Sequence, residues 1–270
     1  MGLLSISLLK LARRPASWVV LAILVGLIIM VFLGLAASVG QLEGMGDELQ
    51  VRALLGFPTA YVTVVGFILG FGGLLAVVYA AAIIGADWAW GTIRAIVARG
   101  ESRVSYTLIT FLAIVIMLGV GILVAFAVGA LSAVLAAEAA GLGSDGATDP
   151  DTLAGIPELL GRTWLGVSQQ AAIGFAIAML FRSQLAGIGA GLAFYFVEQF
   201  LVLVPLAGEV LPYFPFNVAG SVVATAGEFG DGFGGLVPLD SDSALLWSVG
   251  YLVLALAIAT LGAWRAQITQ

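Results

Sequence analysis

The 270-residue chain has no cysteine and no histidine. Their absence excludes disulfides, thiolate nucleophiles, thiolate or imidazole metal sites and histidine proton relays. Its one lysine is Lys10. A phosphate-binding loop of the Walker type needs a lysine followed by Ser or Thr after a glycine-rich turn, and Leu11 follows Lys10, so ATP hydrolysis by that chemistry is excluded. Charge of either sign is scarce, at 10% of residues, whereas 61% are hydrophobic and the mean hydropathy is +1.14. Those values lie far from a soluble globular composition and describe an all-α polytopic membrane protein. A crossing takes about 20 apolar residues, so the chain has room for about six spans and short loops as one membrane domain over residues 1–270.

Residues 1–15 are amphipathic, with Leu4, Leu8 and Leu11 on one helical face and Ser7, Lys10, Arg13 and Arg14 on the other, which predicts a helix lying in the membrane interface. An ordinary basic flank is the alternative. Apolar runs predict spans at about 16–40, 57–84, 104–133, 159–181, 184–206 and 244–264. The third run is longer than one crossing and is expected to tilt or project near residues 133–140, with Glu138 in the projecting part. Residues 41–56, 141–155 and 207–243 read as polar or turn-rich external segments. Gly66-x-x-x-Gly70 and Gly187-x-x-x-Gly191 are expected to be helix contacts.

Six spans put Lys10, Arg13, Arg14, Arg94, Arg99, Arg103, Arg182 and Arg265 on one side and leave Arg52 and Arg162 on the other. The basic side is expected to be cytoplasmic, which gives a multi-pass protein of the cell (inner or plasma) membrane with both termini in the cytoplasm. Residues 85–103, Gly-Ala-Asp-Trp-Ala-Trp-Gly-Thr-Ile-Arg-Ala-Ile-Val-Ala-Arg-Gly-Glu-Ser-Arg, form the one sizeable cytoplasmic loop and are expected to face water. Gly91 and Gly100 bracket the arginine-bearing segment and predict a short helix with fixed ends and forked cationic donors. Its arginines suit carboxylates of a protein partner, with anionic lipid headgroups or topology alone as the alternatives. Asp87 is expected to pair with Arg94, and Trp88 and Trp90 to anchor at the interface.

At Ile84-Gly85-Ala86-Asp87, Gly91-Thr92-x-Arg94 and Ala98-Arg99-Gly100-x-Ser102-Arg103, the chain resembles ABC-2 type transporter permeases, the membrane subunits of one class of ATP-binding cassette exporters. The likeness extends to the six-span plan, the amphipathic N-terminus and Pro212-x-x-Pro215-x-Asn217 in the last external segment. It implies that Asp87, Gly91, Thr92, Arg94, Arg99, Gly100, Ser102 and Arg103 belong to a coupling loop, with a coupling helix between spans two and three that docks on a separate ATPase. It also implies that two permease copies, or this chain and a homologous permease, line an export path. ATP and magnesium would then be bound by the partner ATPase, and this chain would bind no cofactor and no metal and perform no catalysis. Membrane lipids are its other expected partners, and nucleic acid is not one.

Glu198 is the acid placed within a span, where an unpartnered carboxylate costs several kcal/mol. Gln169, Gln170 and Gln199 fall at a similar depth and are expected to form one polar cluster with it. That cluster is read either as a hydrogen-bonded helix contact near a permease dimer interface or as a substrate site. On the second reading, the chain is a secondary transporter or channel coupled through Glu198, although no inverted repeat is evident. An intramembrane enzyme is disfavoured by the lack of histidine, cysteine and paired intramembrane acids.

Overall fold

The computed structural model describes residues 2–39, 41, 47–201, 203–204, 208–226 and 239–265. Among them there are eleven α-helices and no strand. α1 is Leu3–Arg13, α2 Pro15–Val39, α3 Asp47–Leu55 and α4 Thr59–Phe67. A π-helical turn, Ile68–Gly72, joins α4 to α5, Gly73–Ala89. There follow α6, Thr92–Ala98; α7, Arg103–Ala139; α8, Pro150–Phe181; α9, Gln184–Leu201; α10, Pro215–Ala224; and α11, Ser241–Trp264.

Five helical segments are long and apolar enough to cross a membrane: 15–39, 59–89, 103–139, 150–181 and 241–264. α9 has 18 residues and lies outside that set. The described helices outrun several predicted spans. The second continues to Ala89, the third to Ala139, and the fourth starts at Pro150 instead of residue 159. The reason is local: hydrogen bonding within a helix does not stop where hydropathy falls. Asp149 caps α8 by accepting from the Thr152 N–H at 3.0 Å, and Pro150 at the first turn has no N–H to satisfy. The fifth predicted span reaches Leu201 as helix, and residues 202 and 205–206 of that prediction lie outside the described set.

α8 and the 59–89 segment are the inner helices. About two thirds of the most apolar window of each is buried, 67% and 61%, against 17% for α2 and 22% for α11. In α2, Leu24, Ile28 and Phe32 recur every four residues and form the buried stripe, while Trp18, Met30 and Leu33 remain exposed. A helix apolar all round with one buried stripe suits a molecule whose other faces meet hydrocarbon. The larger of two apolar clusters includes residues from Leu11 of α1 to Ala263 of α11.

Close approach between the inner helices depends on small residues. A Cβ on Gly174 of α8 would lie 2.3 Å from the Val77 carbonyl oxygen of α5. The predicted pair Gly187 and Gly191 does make contacts, one against Ala178 of α8 and the other against Val77 of α5. The Gly66 and Gly70 prediction fails at Gly70, whose Cβ would meet nothing within 4 Å. Gly73, one turn further on, lies against the Gln170 amide instead.

The polar face predicted for α1 turns partly inward. Ser7 is buried, Lys10 reaches beneath the helix, and Leu4 and Leu8 are partly buried against the apolar cluster. The segment predicted as an acidic external loop holds α3, carrying the Glu48 and Arg52 ion pair at 2.8 Å. The later external segment holds α10, whose first five residues are all buried.

The α5 and α8 contact yields the first test. Gly174→Leu forces a side chain into the Val77 backbone and is expected to cost about 1–3 kcal/mol by overpacking. Gly189→Leu, where a Cβ meets nothing within 4 Å, serves as the control. Thermal unfolding of the purified chain in micelles reads the difference.

Candidate functional site

Two polar sites stand out in this apolar molecule, one around α10 and one at the junction of α1, α5 and α7. α10 is ten residues long, about 15 Å, which is half of a hydrocarbon core. Pro215 starts it, and its body packs on α8 and α11 through Val218, Val222 and Val223, all fully buried. A short helix buried in this way leaves its first N–H groups and last carbonyls in need of partners. Glu198, 1% exposed, supplies them at the N-terminus by accepting from the Phe216 N–H at 3.1 Å and from the Asn217 N–H. Gln169 donates to the Pro215 carbonyl at 2.7 Å, and Ser248 of α11 donates to the Gln169 carbonyl oxygen at 2.7 Å. The Asn217 amide turns back to the Pro212 carbonyl at 3.0 Å.

Arg162 of α8 serves the other end. Its guanidinium donates to the Val222 carbonyl at 3.3 Å, to the Thr225 hydroxyl at 3.0 Å and to the Ser241 hydroxyl at 3.0 Å, and it pairs with Glu158 at 2.8 Å. An acid therefore sits at the positive end of the α10 dipole and a base at its negative end, each the favourable sign. Gln169 and Glu198 both meet the start of α10, beside Pro212, Pro215 and Asn217, two features read separately in the sequence. Gln170 and Gln199 require correction. Gln170 is buried against Gly73, and its carbonyl oxygen finds no partner among the described residues, whereas Gln199 points outward and is exposed. Adjacent positions on a helix are turned about 100° apart, so Gln169 and Gln170 cannot share a face.

Asp87 is fully buried at the end of α5, contrary to the expectation of a water-facing loop. It does not pair with Arg94. Lys10 binds both carboxylate oxygens at 2.6 and 2.8 Å, Arg14 donates to one at 3.1 Å, and the Tyr106 hydroxyl donates to the other at 2.7 Å. Burial holds the Lys10 ammonium below its ordinary pKa of 10.5, because the loss of hydration outweighs the attraction of Asp87. Arg14 also stacks on the exposed Trp90 at 5.3 Å. Trp88 donates to the Met179 sulfur at 2.9 Å and carries Arg182 over its ring at 5.4 Å. These contacts tie α1, α5, α7 and the α8–α9 turn together at one end of the molecule.

The short helix predicted between the two glycines is present as α6. Gly91 has φ +69° and Gly100 φ +88°, left-handed values that suit glycine, so both chain reversals are built into these positions. Ile93 anchors α6 inward and is buried, Thr92 is half-buried, and Arg94 and Arg99 are exposed without an ion-pair partner among the described residues. Ser102 caps α7 through the Ser105 N–H at 3.5 Å, and Arg103 is half-buried at the α7 start.

Sequence reasoning missed the roles of Lys10, Tyr106, Arg162 and Ser248. The spacing of Glu158 and Arg162, four residues apart, was an available signal of a local ion pair. The partnership of Lys10 with Asp87, 77 residues away, left none. No family model matches the chain, and no curated protein does either.

Two tests follow. Glu198→Gln replaces one of two acceptors with an NH2 donor facing an N–H, so it is expected to cost about 1–3 kcal/mol and to raise amide exchange across 215–224. Asp87→Ala is expected to release α1 from α5 and α7, at roughly 3 kcal/mol, measured as protease sensitivity between Arg13 and Ser17. Unchanged exchange or cleavage in either variant would remove the corresponding role.

Proposed function

We propose that this chain is the membrane subunit of an ABC-2 type exporter, driven by a separate ATPase that docks on α6. The carrying observation is the presentation of Arg94 and Arg99 on a short helix with glycine-set ends, braced by the buried Asp87 network directly before it. Such a helix offers two forked donors to carboxylates of a partner, and its bracing transmits a push to α5, α7 and α1 at once. The residues resembling the family motif run from the end of α5 through α6 to the start of α7, which supports the reading.

In this reading α9 is the sixth crossing. Its 18 residues span about 27 Å, close to the thickness of a hydrocarbon core. α10 is then a short helix that enters from the outer side, with its N-terminus in the outer half beside Glu198. Arg94, Arg99, Lys10 and Arg14 face the cytoplasm of the cell membrane, two permease copies form the path, and ATP and magnesium reside on the partner. Because the Glu198 carboxylate is occupied by two backbone N–H groups, a coupling-ion role for it has less support than the exporter reading.

The expected outcome for Arg94→Glu combined with Arg99→Glu is loss of ATPase co-purification by at least tenfold, with membrane insertion retained because other basic residues set topology. The purified chain alone should show no ATP hydrolysis above background. Normal co-purification of the double variant, or turnover by the uncontaminated chain, would overturn the reading.

A further inference from the structure

A cleft of about 150 Å³ lies between α2, the π turn with α5, and α7. Its walls include Leu21, Leu24, Ile68, Leu75, Gly121 and Val124. The lining extends over residues 17–24 of α2 and 117–124 of α7, so the cleft follows the helix axes for roughly 10 Å. The π turn contributes Ile68 and Gly72, and a Cβ on Gly72 would come within 3.2 Å of a Leu24 methyl. This shape suits an extended hydrocarbon chain.

One end of the cleft is polar, and the basic α1–α2 corner lies one turn from it along the chain. Ser17 lines the cleft, donates to the Leu11 carbonyl at 2.7 Å and meets the Tyr79 hydroxyl at 2.8 Å. One turn earlier is the corner between α1 and α2, with Arg13 and Arg14 in sequence. Lys10 and Arg14 share the single carboxylate of Asp87, which leaves one positive charge in excess there. Arg13 is exposed and has no acidic partner among the described residues, adding a second. Arg14 spends one N–H on Asp87 and retains other donors of its five. Trp18, 62% exposed, lines the cleft and donates to the Ala12 carbonyl at 2.9 Å, the placement of an interfacial indole.

An apolar slot whose polar end lies one turn along the chain from a corner carrying two uncompensated positive charges, in a chain of membrane-crossing helices, is complementary to an amphiphile whose head is anionic. We propose that this cleft binds an anionic phospholipid from the leaflet in which α1 lies, with one acyl chain between α2 and α7 and the phosphate at Arg13 and Arg14. The lipid would fill the space that separates α2 from α7 and would brace the α1–α2 corner against the Asp87 network. Binding is a property of this chain alone and stands apart from whether an ATPase docks on α6.

The test is native mass spectrometry of the full chain released from micelles, with phosphatidylglycerol and phosphatidylcholine of identical acyl chains as probes. The unaltered chain is expected to retain one phosphatidylglycerol at a concentration at least tenfold lower than it needs for phosphatidylcholine. Gly121→Phe puts a ring where a Cβ meets only a Leu21 methyl at 4.0 Å, and should abolish retention of both lipids. Should that variant fail to fold, Val124→Trp, at a partly exposed lining position, fills the same slot. Arg13→Gln, outside the Asp87 network, should bring the two lipids within about threefold of each other. Equal retention of both headgroups by the unaltered chain, or undiminished phosphatidylglycerol on the slot-filling variants, overturns the proposal.

Discussion

A helix of ten residues, most of them buried, has first N–H groups and last carbonyls that need partners from the surrounding helices. Satisfying those ends is the constraint on which this end of the molecule depends. α8 contributes Gln169 and Arg162, α9 contributes Glu198, and α11 contributes Ser248 and Ser241, so one short helix ties three long ones together. Each polar group in this set bonds to backbone or to another member. The arrangement has the geometry of a plug seated from one side, with acid and base matched to the two ends of its dipole.

The opposite end of the molecule solves a related problem with a single carboxylate. Asp87 has no exposed surface, yet two cations and a phenol meet it from α1, the α1–α2 corner and α7. A buried carboxylate so surrounded is costly to disturb, because removing one partner strands the others. The elbow formed by α5, α6 and α7 is thereby made rigid where the exposed arginines of α6 begin. Rigidity at that place suits transmission of force, and the excess positive charge beside it suits an anionic headgroup.

The inner helices and the outer ones differ in what their glycines and apolar residues do. At Gly174, Gly187 and Gly191 backbones or side chains approach too closely for a Cβ, so α5, α8 and α9 pack as a unit. α2 and α11 instead bury only 17% and 22% of their most apolar windows. Without a hydrophobic drive between helices in lipid, this close approach and the polar contacts at each end provide the specificity of assembly.

The composition by itself determined an all-helical, membrane-type chain, because so high an apolar content in long runs leaves helices as the economical way to satisfy the backbone. It also determined the short helix between Gly91 and Gly100, since a left-handed turn is a local property of glycine. That Glu198 and Gln169 fall at a common level was legible from helical rise. Their purpose was not, because the partner of Glu198 is the backbone of α10, which leaves no mark in residue type. α10 itself was hidden by its length and its proline- and glycine-rich surroundings. Asp87 was read as local and paired with Arg94, but the tertiary structure assigned it to Lys10 and Arg14. Only folding could decide this, because a buried charge takes the cations that packing brings to it, and packing of α1 against α7 is a long-range event.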